Sequence, residues 1–296
     1  MNMMDTVNGG MRGENSSRAG EPADDLPGAG TRPAALASAT PRPAEADERL
    51  LNLADVPSFT PDPAVLEANH IVAFDGRDMR ARPFTLMRTR FAKQLDLQKM
   101  RMVGITSPAP SAGKSMMAVN LAAALARLKD VPVVLADLDL RRGSVAEALG
   151  LPVEHGIDDL LASGRGDPAK LCVQIEGLPL VVMPTRVTKG DSSQLLTGSA
   201  FENLMRWMRA ISREAIVLVD LPPVFANDDA MLLVEALDGY MLVVESGKTT
   251  ARQVRDAMDL LKPATPLGTV LNRYKGGVLD TYGYGSGAQY SKYYDR

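Results

Sequence analysis

Apolar residues in this chain fall into short unbroken runs separated by longer stretches of helical periodicity. The runs at 102–106, 132–137, 179–183, 215–220, 239–245 and 267–271 read as strands buried on both faces, with a weaker one at 171–175. Between them, 114–128, 193–212, 228–236 and 250–261 carry the spacing of amphipathic helices. Asp191 or Ser192 is placed to cap the second of these, because a polar side chain there satisfies free main-chain N–H groups. Such alternation predicts an α/β fold, a mostly parallel sheet with helices on both faces. A linker-like helix is expected just ahead of the first strand, at about 85–100.

The two ends follow a different pattern. Residues 1–62 are rich in Gly, Ala, Pro, Ser, Asp and Glu, with too few apolar side chains to offset the entropy of ordering. They are expected to be a disordered N-terminal region, with a short contact segment near Leu50 to Leu53 left open. After Tyr274 the chain is Gly, Ser and Tyr with little to pack, so 275–296 is expected to be a flexible tail.

Composition narrows the class. A chain of 296 residues, 45% of them hydrophobic, suits one large α/β domain plus tails, or two small domains. A formal net charge of −3 argues against a surface built to grip nucleic acid. Cys172 is the single cysteine, which excludes an intramolecular disulfide and suits a reducing compartment. The opening MNMMDTVNGG has no apolar signal core, and no run approaches the roughly 20 apolar residues of a spanning helix. A cytoplasmic location is expected, with recruitment to the inner face of the membrane only through a partner.

Chemistry concentrates in VGITSPAPSAGKSMMAVNLAAALARL, from Val103. An apolar strand leads through a small-residue turn to Gly113-Lys114-Ser115 at the start of an Ala-rich helix. This is the context of a phosphate-binding loop: main-chain N–H groups of Ser111, Ala112, Gly113, Lys114, Ser115 and Met116 would wrap phosphate oxygens. Lys114 would meet the β/γ-phosphates and the Ser115 hydroxyl a magnesium ion. The loop departs from the common pattern: Pro108 stands at the first glycine, and Ser111 and Ala112 where glycines are frequent. Read without its neighbours, the stretch is also a plain strand-to-helix turn.

Two strand ends supply carboxylates. VVLADLDLRR ends in Asp137 and Asp139, two residues apart and so on one side of an extended chain. AIVLVDLPPVFANDDAMLL ends in Asp220, then a Pro-Pro turn and the pair Asp228-Asp229, read as charges at a helix N-terminus. Ligands of open α/β sheets bind at the C-terminal strand edge, where Asp137, Asp139 and Asp220 would gather. Hard Mg²⁺ takes such oxygens and keeps several waters.

These three segments, in this order, resemble the bacterial tyrosine autokinase family of capsule and exopolysaccharide synthesis, over about residues 80–296. The resemblance implies a P-loop ATP-binding kinase domain at 101–274, preceded by a linker and helix at 63–100, with ATP and Mg²⁺ as cofactors. It implies that Lys114 holds phosphates, that Ser115, Asp139 and Asp220 serve the metal, and that Asp137 and Asp139 serve the incoming hydroxyl, Asp137 as base. TVLNRY is similar to the family's base-recognition strand, making Asn272 a candidate adenine contact; a strand-terminal Asn in a turn is the other reading. The family's Glu-x-x-Arg-x-x-Arg ring motif is reduced here to its last residue, Arg88, in the stretch Arg82 to Arg88. Lacking a fused membrane-spanning activator, the chain resembles the split type. Implied partners are a membrane-embedded polysaccharide co-polymerase or chain-length activator, further copies of itself, and a tyrosine phosphatase, but no nucleic acid. Min and Par ATPases share the sheet, yet their extra early lysine is Ala109 here.

The seven tyrosines are 240, 274, 282, 284, 290, 293 and 294, five of them in the last 15 residues. The glycines and polar residues around Tyr282, Tyr284, Tyr290, Tyr293 and Tyr294 offer no packing partners; on a chain that resembles a P-loop kinase these phenols read as phosphoacceptors, an aromatic tail for protein or nucleic-acid contact being the other reading. A flexible tail of roughly 20 residues reaches ~25 Å, enough to enter a neighbouring subunit's site. A non-kinase P-loop ATPase switch and a weakly catalytic adaptor remain alternative readings.

Overall fold

The computed structural model describes residues 55–275 apart from 129, 130 and 189. The disorder expected of 1–54, the tail beyond 275 and its five tyrosines lie outside the described residues. Strand β1 (Ser58–Phe59) and helix α1 (Pro63–Ala68) lead to helix α2 (Arg82–Gln98), strand β2 (Met102–Thr106) and helix α3 (Lys114–Ala126). Strand β3 (Val133–Asp137), helices α4 (Ser144–Leu149) and α5 (Ile157–Ser163), and strands β4 (Val173–Ile175) and β5 (Leu180–Met183) follow. Helices α6 (Ser192–Leu196) and α7 (Ser199–Ile211), β6 (Ile216–Asp220), α8 (Asp229–Glu235), β7 (Gly239–Glu245), α9 (Ala251–Leu260) and β8 (Pro266–Asn272) complete the order.

The strands form one sheet in the order β1-β4-β5-β3-β6-β2-β7-β8. Every neighbouring pair is parallel except β4 with β5. Alternate residues of each central strand face opposite layers, as the period of two requires. Val103, Ile105, Leu135 and Leu218 pack toward α2 and α3, while Val134, Val217 and Val219 pack toward α5 and α7. Tyr240, Leu242 and Val244 of β7 meet α8 and α9. Helices thus cover both faces, as the apolar runs predict. Among the described residues no helix is long and apolar enough to cross a membrane.

α3 is buried nearly all round, and its alanines 122, 123, 124 and 126 let it lie close on the sheet. Its one buried amide, Asn120, accepts from the N–H groups of Val72 and Ala73 at 2.9 and 3.0 Å and donates to the His70 carbonyl at 3.1 Å. That staple carries the incoming chain across the phosphate helix.

Several boundaries differ from the sequence reading. Order begins before residue 63, because Ser58 and Phe59 pair with Gln174 and Ile175 at the sheet edge. The helix expected at 85–100 starts at Arg82, with Pro83 in its first turn, where a missing N–H costs nothing. The single helix expected at 193–212 is two, α6 and α7, separated at Thr197 and Gly198; Asp191 caps the first by accepting from the Ser193 N–H at 3.1 Å. α4 and α5 leave no mark in the sequence pattern, since six and seven residues are too few to display a period. Cys172 lies buried just before β4, and burial pushes its thiol up to about 12.

Candidate active site

The loop between β2 and α3 is shaped from both ends. Ser111 and Gly113 take left-handed backbone conformations, φ 63° and 89°. A side chain at Gly113 is excluded twice over, since its Cβ would also stand 2.3 Å from Nδ2 of Asn272. The first half of the loop is pinned to the Pro-Pro turn after β6. The Thr106 hydroxyl donates to the Pro222 carbonyl at 2.7 Å, and Val224 and Phe225 donate their N–H groups to the Ser107 and Pro108 carbonyls at 2.9 and 3.1 Å. Pro108, the departure from the common loop pattern, is therefore an integral acceptor in this pairing.

Lys114 is buried, 5% exposed. Its Nζ lies 2.8 Å from Asp139 Oδ2 and 3.3 Å from Asp220 Oδ2, and donates to the Ser115 hydroxyl at 3.1 Å. Burial by itself would push the ammonium down, but the charges of Asp220 and Asp139 carry it above its ordinary value. The three candidate metal residues, Ser115, Asp139 and Asp220, thus converge on one amine. Hydroxyl and carboxylate oxygens are the donors a hard divalent cation takes. Among the described residues no cluster of three or more carboxylate, His or Cys groups stands ready to hold a metal alone.

Asp137 and Asp220 are register partners at the ends of β3 and β6. Both are fully buried. Desolvation, then the charge of Asp220, holds the Asp137 carboxyl well above the usual range. Desolvation likewise raises Asp220, against the opposing pull of Lys114 and the Ser115 hydroxyl. Asp137 Oδ1 accepts from the Asp139 N–H at 3.1 Å and Oδ2 from the Val145 N–H at 2.9 Å. Both oxygens of the expected base are therefore engaged in forming the turn that presents Asp139.

Asp229 is more than a charge at a helix start. It is buried, accepts from the Ser192 hydroxyl at 2.6 Å and from the Asn227 amide at 2.5 Å, and lies 3.5 Å from Arg141 Nε. Arg141 Nε also donates to Ser192 Oγ at 3.0 Å, so this carboxylate ties α6 and α8 to the arginine following Asp139. Asp228, exposed, accepts from Ser193 Oγ at 2.9 Å. Nothing in the local pattern separates the two aspartates; only the fold buries one. Ser111 is exposed, Ala112 is buried, and Met116, in the first turn of α3, is half-buried. Asn272, far away in sequence, donates Nδ2 to the Ala112 carbonyl at 2.8 Å. Tyr240, 1% exposed in β7, is not accessible as an acceptor.

A strand-to-helix loop closed by Gly113, a lysine and strand-end carboxylates at the C-terminal edge of a parallel sheet define a P-loop nucleotide-binding domain. A domain model described as the CobQ/CobB/MinD/ParA nucleotide binding domain matches residues 103–282, and the chain belongs to that family. Within it the chain groups with bacterial tyrosine-protein kinases. It is 29% identical over 227 residues to tyrosine-protein kinase YwqD of Bacillus subtilis (strain 168), covering 74% of this chain and 92% of that protein. It is 32% identical over 216 residues to the putative tyrosine-protein kinase EpsB of Ralstonia nicotianae, covering 71% of this chain but only 27% of that longer protein. The fold superposes on the kinase domain of Escherichia coli tyrosine kinase ETK with a TM-score of 0.60 at 28% identity, over 68% of this chain and 79% of the other.

Proposed function

We propose that this chain is an ATP-dependent protein-tyrosine kinase that phosphorylates its own C-terminal tyrosines. The observation carrying this reading is Lys114 held between Asp139 and Asp220 at the mouth of the loop. A lysine so placed exchanges carboxylates for phosphate oxygens when nucleotide enters, freeing both acids. Ser115, Asp139 and Asp220 would hold Mg²⁺, which supplies neutralisation of charge on the transferring phosphoryl group.

Phosphoryl transfer asks little covalent chemistry of the protein and much positioning. The phenol oxygen of a tail tyrosine forms the new bond to the γ-phosphorus, the bond to the β,γ-bridging oxygen breaks, and ADP leaves. The phenol, with an ordinary pKa of about 10, gives up its proton to the carboxylates of the β3 turn. Asp139 is the member facing the loop, and Asp137 shapes that turn. Tyr282, Tyr284, Tyr290, Tyr293 and Tyr294 are the acceptors, offered between copies of the chain. The wider role is control of capsule or exopolysaccharide assembly, with a membrane-embedded co-polymerase as activator and recruiter and a phosphatase resetting the tail.

The deciding experiment is incubation of purified chain with Mg²⁺ and ATP, read by anti-phosphotyrosine detection, beside a chain truncated after Lys275. Label on the full chain alone supports the reading. ATP hydrolysis without any phosphotyrosine would instead make it a P-loop ATPase switch.

A further inference from the structure

Asn272 ends β8, the outermost strand on its side of the sheet, and its side chain turns back onto the phosphate loop. Nδ2 donates to the Ala112 carbonyl at 2.8 Å. Oδ1 accepts from the N–H of Arg273 at 2.8 Å, a bond that fixes which end of the amide faces the loop. Arg273 is itself held: it takes a left-handed φ of 58°, and its Nη1 binds Glu245 Oε1 at 2.7 Å. Glu245 is the register partner of Asn272 on β7, and the Asn272 carbonyl accepts from the Ser246 N–H at 2.9 Å. The Asn272 main chain is thus anchored in the β7–β8 ends, and its side-chain amide spans from the Arg273 N–H to the loop.

Recognition of adenine by an asparagine uses a donor and an acceptor together, the acceptor taking the exocyclic amino group. Here Arg273 engages one of the two lone pairs on Oδ1 and Ala112 one of the two donors, so one lone pair and one N–H remain for a base. What the side chain does control is the loop: it fills the space a Cβ would need at Gly113 and holds the carbonyl of the preceding residue. Main-chain N–H groups that receive phosphates do so best when their peptide planes are already fixed.

We propose that Asn272 is a positioning residue that latches the phosphate loop at Ala112–Gly113 from the end of the edge strand, in addition to any contact it makes with the base. The inference rests on the nucleotide-binding reading of this loop. It makes the strand that leads into the tyrosine tail a direct support of the phosphate site.

The test compares wild type with Asn272→Ala and Asn272→Asp, both checked for fold by circular dichroism. Calorimetry measures binding of ATP, GTP and base-free tripolyphosphate, each with Mg²⁺. Loss of one such hydrogen bond should weaken base-free tripolyphosphate roughly three- to tenfold, and ATP and GTP by at least that factor. Amide exchange over 112–115 should quicken in the nucleotide-free variants. Weaker ATP binding with tripolyphosphate unaffected would assign Asn272 to the base and overturn the latch. Unchanged affinities and unchanged exchange in both variants would overturn it too. If Asn272→Ala does not fold, amide exchange over 112–115 in the nucleotide-free Asp variant decides, since that variant keeps shape but cannot donate and no phosphate is present for its charge to repel. Failure of the tyrosine-kinase reading shows elsewhere, as absent phosphotyrosine in a wild type whose affinities stand.

Discussion

Asp137 and Asp220 sit side by side, as register partners, at the buried ends of two adjacent parallel strands. Two carboxylates so placed resist ionising together, and desolvation raises both above their ordinary range. For an acid whose folded value is raised, the stabilising contribution is complete below the unfolded pKa and is lost as pH rises through the folded one. The nucleotide-free protein therefore carries a penalty at neutral pH that acid removes. Asp220→Asn should raise the melting temperature of the nucleotide-free protein at about pH 8, with the gain shrinking toward about pH 5, while weakening Mg²⁺-dependent nucleotide binding. Thermal denaturation at the two pH values checks it; equal destabilisation at both would contradict the argument.

Lys114 is a stability residue as well as a site residue. Lys114→Met should abolish phosphotyrosine, and it should also leave Asp139 and Asp220 buried without their cation. Breaking a buried pair from one side costs about 3–5 kcal/mol. Denaturant unfolding near neutral pH should show a loss of that order, partly restored in the Lys114→Met, Asp220→Asn double variant. A single variant as stable as wild type would mean the amine does not sit where the structure has it.

The sequence patterns reached the frame of the site but not its couplings. Runs such as Val133–Asp137 and Ile216–Asp220 announce doubly buried strands, and an acid after each run marks the binding edge. What no local pattern carries is which distant groups meet there. Asp228 and Asp229 are equivalent in sequence, and only the approach of Ser192 and Arg141 distinguishes them. Asn272 reads as a strand end or a base contact until the fold sets it against Ala112, and nothing in the loop sequence says that Asp139 and Asp220 close on Lys114. β1 is two residues long, and it gains its meaning only from β4.

Asn120 tests how the entering chain is fastened. Its amide satisfies the Val72 and Ala73 N–H groups and the His70 carbonyl at once. Asn120→Ala should destabilise the domain by roughly 2–4 kcal/mol, because it strands main-chain groups away from water. Nucleotide affinity should change little in the fraction that remains folded. A shift in urea midpoint too small to measure would remove the staple from the account.

Tyr240 and the tail tyrosines should separate cleanly by mass spectrometry. Tyr240→Phe should leave labelling unchanged, since that phenol is buried in β7. Phosphate should fall on residues 282–294. Five phosphotyrosines would add on the order of −8 to −10 in charge to one short segment and loosen contacts between copies. Phosphate mainly on Tyr240 would sink the autokinase reading.

The thiol of Cys172 sits in a closed apolar seat with its proton held up to about 12. Since the thiolate is the reactive form, alkylating reagents should find nothing to attack in the native domain. With one cysteine in 296 residues, every modified molecule has opened at that spot beside β4. The chain carries its own stopwatch for opening: the rate at which a maleimide dye is taken up, with and without Mg·ATP, times how often the β4 side of the sheet comes apart and whether a ligand bound elsewhere on it keeps it shut.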